Sequence, residues 1–368
     1  MSRLEELIQE LCPDGVEYKA LGEIAAIKNG RDYKHLGNGE IPVYGSGGIM
    51  TYVDTPSFTK KSVLIPRKGS LSNLFYVEKP FWNVDTIFYT DIQEEKVIPK
   101  YLYYCLSKKH LEDLNQAGGV PSLTQKVLNK VLIPVPPLPV QEEVVRILDT
   151  FTELTAELTA ELTARKNQEK YYRAAAFSFD SSVEFVPLAQ IAEISTGKSN
   201  TNEGLSEGKY PFYVRSQTPL KKNEYEFDET AIITAGDGVG VGKVFHFVEG
   251  KYALHQRAYR IHVCTPNVLP KFLFHYIRTK FPEYIQKAMY EGSVPSIRRP
   301  MLNAFPVPVL PLNEQQKLVN IFDQFEQYCE SLTEGLPAEI AVRQKQYEYY
   351  RDKLLTFKEF KPEGADSN

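Results

Sequence analysis

Short apolar runs alternate with glycine and proline turns through most of the chain. Ser62-Val63-Leu64-Ile65, Thr86-Ile87-Phe88-Tyr89 and Ala231-Ile232-Ile233-Thr234 each predict a strand. Helices are predicted at Pro99 to Leu114 and at Pro270 to Tyr290. A different pattern follows each mixed region. Val144, Ile147, Phe151, Leu154, Leu158 and Leu162 are spaced by three or four residues, and Leu318, Ile321, Phe325, Tyr328, Leu332 and Leu336 repeat the same steps. Each set is a heptad seam with a four-residue stutter. The fold class expected is α+β: two globular units separated by two long helices that pair as an antiparallel coiled coil.

The chain is written twice. Leu21 to Ile27, closing at Gly30, returns as Leu188 to Ile194, closing at Gly197, and each reads as a strand start ended by a glycine turn. Gly119-Val120-Pro121-Ser122-Leu123 returns as Ser293-Val294-Pro295-Ser296-Ile297, and Ile133-Pro134-Val135-Pro136 as Phe305-Pro306-Val307-Pro308. Arg165 to Arg173 matches Arg343 to Arg351 in the same way. A pseudo-twofold internal repeat follows, divided as 1–139 (first globular unit), 140–182 (long helix), 183–311 (second globular unit), 312–357 (second long helix) and 358–368 (tail). Thr152 to Ala164 is a Thr-Glu-Leu/Thr-Ala-Glu-Leu tetrapeptide repeat, helix-forming and of low complexity. Gly335 and Pro337 should stop or kink the second helix near Leu336.

Length and charge narrow the function. A chain of 368 residues holds two or three domains, and its formal charge of −4 excludes a polycation that coats nucleic acid by composition alone. Four scattered cysteines argue against a disulfide framework or a thiolate zinc site, so a cytoplasmic setting is expected. No apolar run is long enough for a membrane span or a signal peptide.

Catalytic motifs are weak. Ala192 to Ser199 fits a relaxed phosphate-loop pattern, but a loop and not a helix should follow, so a plain turn after a strand is favoured. The glycine run Gly236 to Gly242 leads into a strand pattern and reads as a loop that permits close backbone approach, with Gly69-Ser70-Leu71 in the comparable place of the first unit. His246, His255 and His262 lack metal-ligand spacing, and no metal or cofactor is expected in the chain. Charge is local instead: residues 243–299 carry ten basic side chains against three acidic ones. Lys243, Arg257, Arg298 and Arg299 from that window, with Lys198, Arg215, Lys221 and Lys222, are candidate DNA-binding residues of the second unit. Lys60, Lys61, Arg67, Lys68 and Ser70 are those of the first.

Two globular units, each closed by a Pro-Val-Pro-type stretch and a long helix, together with the tetrapeptide repeats and the run Arg343 to Arg351, resemble the specificity subunit of type I restriction-modification systems. The resemblance covers nearly the whole chain. It implies two target recognition domains that each read half of a split site in double-stranded DNA, and paired helices that set half-site spacing and dock two methyltransferase subunits. Restriction and translocation subunits would join that core. S-adenosylmethionine, ATP and magnesium would then serve the partner chains, and this chain would not be an enzyme. The rival readings are a self-contained nuclease using Asp85, Asp237 and Lys243, and a coiled-coil scaffold that binds no DNA.

Overall fold

The computed structural model describes residues 2–115, 119–288, 296–331 and 334–360. They form two units, one of Met1–Leu158 with Ile340–Asn368 and one of Thr159–Glu339.

The first unit runs α1 (Arg3–Leu11), β1 (Tyr18–Ala20), α2 (Leu21–Ile24), β2 (Ala25–Asn29), β3 (Ile41–Gly45), β4 (Gly48–Val53), β5 (Ser62–Pro66), β6 (Phe75–Val77), β7 (Trp82–Asn83), β8 (Ile87–Ile92), α3 (Pro99–Lys108), α4 (Gln125–Leu128) and β9 (Leu132–Pro134). Helix α5 (Leu138–Ala176) starts here. Its sheets follow the orders β2-β8-β5-β6, β4-β3-β7 and β1-β9. Local chemistry explains several boundaries. Ser2 and Glu5 close a reciprocal cap on α1, and Pro99 opens α3 where a missing N–H costs nothing. Leu21 to Ile24, read as a strand start, is a helical turn instead, and the strand begins at Ala25. The helix expected to Leu114 stops at Lys108, and His110 takes a left-handed conformation, φ 46°, before a short 3₁₀ turn.

The second unit runs β10 (Phe185–Pro187), β11 (Ala192–Thr196), β12 (Tyr210–Tyr213), β13 (Leu220–Lys222), β14 (Phe227–Ala235), β15 (Phe245–Leu254), β16 (Ala258–Val263), α6 (Pro270–Ala288), α7 (Arg299–Asn303), β17 (Pro306–Pro308) and α8 (Leu312–Glu330). One six-stranded sheet, β11-β16-β14-β15-β12-β13, does here what two sheets do in the first unit. The long β15 covers the ground of β6 and β7, which Pro80 separates because it cannot donate to a ladder. The duplication extends to a buried pair of glutamines. Gln141 accepts from Ile98 N (2.9 Å) and donates to the carbonyls of Lys96 and Pro136, while Gln315 accepts from Leu269 N (2.8 Å) and donates to those of Asn267 and Leu310. Gln141 thus ties the start of α5 to the loop that opens α3, and Gln315 ties the start of α8 to the loop that opens α6.

The long helices pair, and the second is broken where Gly335 and Pro337 stand. α5 is unbroken over 39 residues, but its expected partner is split into α8 and α9 (Leu336–Leu354). Gly335 makes the break at φ +114°, where a Cβ would lie 2.6 Å from the Gln327 and Tyr328 carbonyls. Pro337 then sits in the first turn of α9, a position proline favours, so it starts a helix and does not kink one. Within the second unit α5 runs antiparallel to α8: Tyr328 donates to Glu161, Tyr172 meets Phe325 at 6.1 Å, and Phe177 meets Phe322 at 5.3 Å. Within the first unit α5 meets α9, where Phe151 stacks on Tyr350 at 5.1 Å.

The first-copy seam enters its core at Val144, with Ile147 packed against that core and Phe151, Leu154, Leu158 and Leu162 half-buried. The second-copy seam is displaced by a residue. Val319 and Phe322 are buried while Ile321 and Tyr328 are exposed, because Leu318 and Phe325 flank a face turned toward α6 and the sheet. Leu336 is buried, and Leu332 lies outside the described residues.

Candidate nucleic-acid interface

Five segments meet at one end of the six-stranded sheet. β14 and β11 finish there at Ala235 and Thr196, and β16 starts there with Ala258 and Tyr259 paired to them. The parallel pairing of Tyr213 with Leu254 brings the ends of β12 and β15 to the same place. The loops 197–203, 214–218, 236–242 and 255–257 are therefore neighbours, and Ile297 N donates to Gly236 O at 2.7 Å to add the segment before α7.

The first unit builds the same scaffold. Arg67 N donates to Thr86 O and Gly236 N to Arg257 O, both at 2.8 Å. Leu123 N bonds Arg67 O as Ile297 N bonds Gly236 O, and Lys68 bridges Ser122 as Asp237 bridges Ser296. Gly69 and Gly238 share a left-handed φ, +83° and +78°. Gly30 and Gly197 pass so close to the facing strand that a Cβ would lie 2.1 Å from Val84 O or 1.9 Å from Leu254 O. Backbone geometry is thus repeated while the side chains it presents differ: Arg67, Lys68 and Thr86 in one unit stand where Gly236, Asp237 and Arg257 stand in the other. Of the residues matching Gly119 to Leu123, Ser293, Val294 and Pro295 lie outside the described residues.

The candidate residues divide accordingly. Arg67, Lys68 and Ser70 lie at this loop end of the first unit. Lys60 and Lys61 lie at the opposite end of β5, paired with Asp91 at 3.3 Å and Glu78 at 3.5 Å. In the second unit Lys198, Arg215, Arg257 and Arg298 belong to the loop end. Lys222 reaches it with its head group, which donates to Ser199 and Glu203, both at 2.7 Å. Lys221 is exposed on the edge strand β13. Arg299 donates to the Ile194 carbonyl, and Lys243 faces elsewhere, lining a cavity of about 410 Å³ with Lys271, Arg278, Glu326 and Glu330.

Asp237 organises the cluster. Its Oδ1 accepts from Arg215 at 2.6 Å and its Oδ2 from Arg257 at 3.1 Å. Burial pushes this carboxyl up, but the two guanidiniums outweigh it and hold it below the usual carboxylate range. Beside it a cavity of about 490 Å³ is lined by Val214, Arg215, Leu220, Asp237 and Val239, and Val239 is exposed at the loop tip.

Several charges counted in the basic window are spent inside the fold. Arg260 is buried, donates twice to Glu229 (2.5 and 2.7 Å) and also to Glu193 and Ser195. Lys271 and Arg278 pair with acids of α8. The window therefore overstated the surface charge, because its counter-ions lie outside it in sequence.

The phosphate-loop-like segment is occupied by protein: the Glu226 carboxylate accepts from Lys198 N at 2.9 Å and from Ser199 Oγ at 2.5 Å, where a phosphate would need those donors. Of the nuclease candidates in the second unit, Asp237 has both oxygens engaged by arginine and Lys243 lines a separate cavity. Among the described residues, His275, Asp323 and Glu326 form a cluster with metal-ligand atoms in reach. Arg173 at 3.2 Å from His275 and Lys271 at 3.6 Å from Asp323 already supply its positive charge. Among the described residues no helix is long and apolar enough to cross a membrane.

Two copies of one α+β scaffold, whose loop ends carry different side chains and which are joined to long helices, define an internally duplicated protein. The profile of the type I restriction modification DNA specificity domain matches residues 13–165 and 180–342, and the chain belongs to that family. It is 30% identical over 375 residues to a putative type I restriction enzyme specificity subunit of Haemophilus influenzae, covering 93% of this chain and 96% of the relative. It is 34% identical over 308 residues to the EcoR124I/EcoR124II specificity subunit of Escherichia coli, covering 76% and 75%. The S subunit of a type I system from M. genitalium shares the fold, with a TM-score of 0.63 at 16% identity over 93% of this chain and 96% of that one.

Proposed function

We propose that the loop end of each unit reads one half of a bipartite site in double-stranded DNA. α5 with α8 and α9 sets the distance between halves and carries two methyltransferase subunits, which restriction and translocation subunits join. The observation that carries this reading is the repeated hydrogen-bonded scaffold with exchanged side chains, since reading two different half-sites requires one geometry and two chemistries. Arg67, Lys68 and Ser70 serve one half, and Lys198, Arg215, Arg257 and Arg298 the other. Lys60, Lys61, Lys221, Lys222, Lys243 and Arg299 act as outlying phosphate contacts or as supports of the loops. Methyl transfer and ATP-driven chemistry, with S-adenosylmethionine, ATP and magnesium, belong to the partner chains in the cytoplasm.

The test is single-molecule mapping of adenine methylation in cells with and without this gene, the partner genes left in place. We expect a split motif that vanishes with the gene. Methylation that persists without the gene, or a gene-dependent motif that is continuous, overturns the reading.

A further inference from the structure

Resting on that reading, we infer that Arg257 is a guanine-reading residue, so that the half-site of the second unit contains an obligatory G·C pair recognised from the major groove. Arg257 stands at the β15–β16 turn, its side chain 61% exposed. Only one of its amino groups is held, by Asp237 Oδ2. Asp237 is itself held from the other side by Arg215 and by the bridge of its backbone to Ser296. Among the described residues no other side chain bonds the Arg257 guanidinium. A planar fork with one edge anchored on a carboxylate keeps its remaining N–H groups in a defined plane and loses little freedom on binding. Guanine presents two acceptors, O6 and N7, to such a fork, whereas adenine presents an acceptor beside a donor and would set N–H against N–H.

At the matching positions of the first unit Thr86 and Lys68 replace Arg257 and Asp237. The arginine at that loop end, Arg67, is held differently, through Nη1 to the Asp85 carbonyl at 3.4 Å and over the Phe88 ring, with no carboxylate behind it among the described residues. The two halves of the site should therefore differ in how they use guanine, and Asp237 is a positioning residue for the second half alone.

The experiment maps adenine methylation in cells carrying the partner genes and either the natural chain, Arg257→Ala, Arg257→Lys or Asp237→Asn. A bidentate pair to guanine is worth roughly ten- to a hundredfold in discrimination. Arg257→Ala is expected to turn one G·C position of one half-site degenerate, leaving the other half and the spacing as they were. Arg257→Lys keeps the charge without the fork and should relax the same position, and Asp237→Asn should relax it more weakly. A uniform fall in methylation with an unchanged motif would make Arg257 a phosphate contact and overturn the proposal. So would a relaxed A·T position, changes in both halves, or silence from both Arg257 variants, since one base contact cannot account for loss at every site. A natural chain that specifies no split motif would instead remove the wider reading.

Discussion

Arg260 shows how a charge that looks available in the chain is used inside the fold. It is 5% exposed, bonds Glu229 through two nitrogens, and lies over the Phe227 ring at 4.9 Å. Burial raises the Glu229 carboxyl, but the bonds from Arg260 and Tyr252 more than offset this and leave it depressed. Arg260→Ala strands that carboxylate, and we expect a loss of about 3–5 kcal/mol in the second unit, measured by thermal unfolding at neutral pH. Without Arg260, burial acts on Glu229 with less to oppose it and the carboxyl takes up a proton more readily, so the deficit of the variant should shrink as pH falls through the carboxylate range.

His275 gives the opposite case of a base kept neutral. Burial beside Arg173 and Lys271 holds it at about 4, although Asp323 pulls the other way. The unfolded chain then binds the proton first, so the stabilisation is complete above pH 6.5 and falls as pH drops toward 4. His275→Gln should flatten that decline in a pH series of melting temperatures; an unchanged slope would assign it to other groups.

The elements carry the next layer of meaning. In α5 the threonines of the repeat satisfy themselves: Thr152, Thr155 and Thr163 donate to the carbonyls four residues earlier. Each tetrapeptide is thus a self-contained length of helix, and removing one shortens the rod by about 6 Å, against about 3.4 Å per base pair of DNA. Deletion of Thr159 to Leu162 is expected to shorten the spacer of the methylated motif by one or two base pairs with both half-sites retained. An altered half-site at constant spacing would reject the ruler.

The chain as a whole closes on itself in the first unit. Val16 N donates to Lys358 O at 2.8 Å, Phe360 N to Val16 O at 3.0 Å, and Leu355 is buried in the same core as Leu21 and Val144. Ending the chain at Arg351 removes these bonds and the buried leucine. We expect the first unit to lose about 3 kcal/mol or more while the second keeps its transition, which calorimetry would resolve. Equal loss in both units would mean that they unfold together.

Periodicity, capping and duplication depend on residues close in the chain, and for that reason they could be read from it. The strands at Ser62, Thr86 and Ala231, the helix starting at Pro99 and the two seams are all local patterns. Even the break at Gly335 was visible, though its side was not, since proline in a first turn and proline within a helix look alike without the helix boundary. The candidate site was legible only as a supply of charge. Whether a lysine faces solvent at the loop end, as Lys68 does, or a counter-ion at the far end of a strand, as Lys60 does, depends on which strand ends align. That alignment comes from pairings between residues far apart, such as Tyr213 with Leu254 and Asp237 with Ser296. Long-range register has no signature in a single chain, because any strand of the right pattern could pair with any other until packing selects one arrangement.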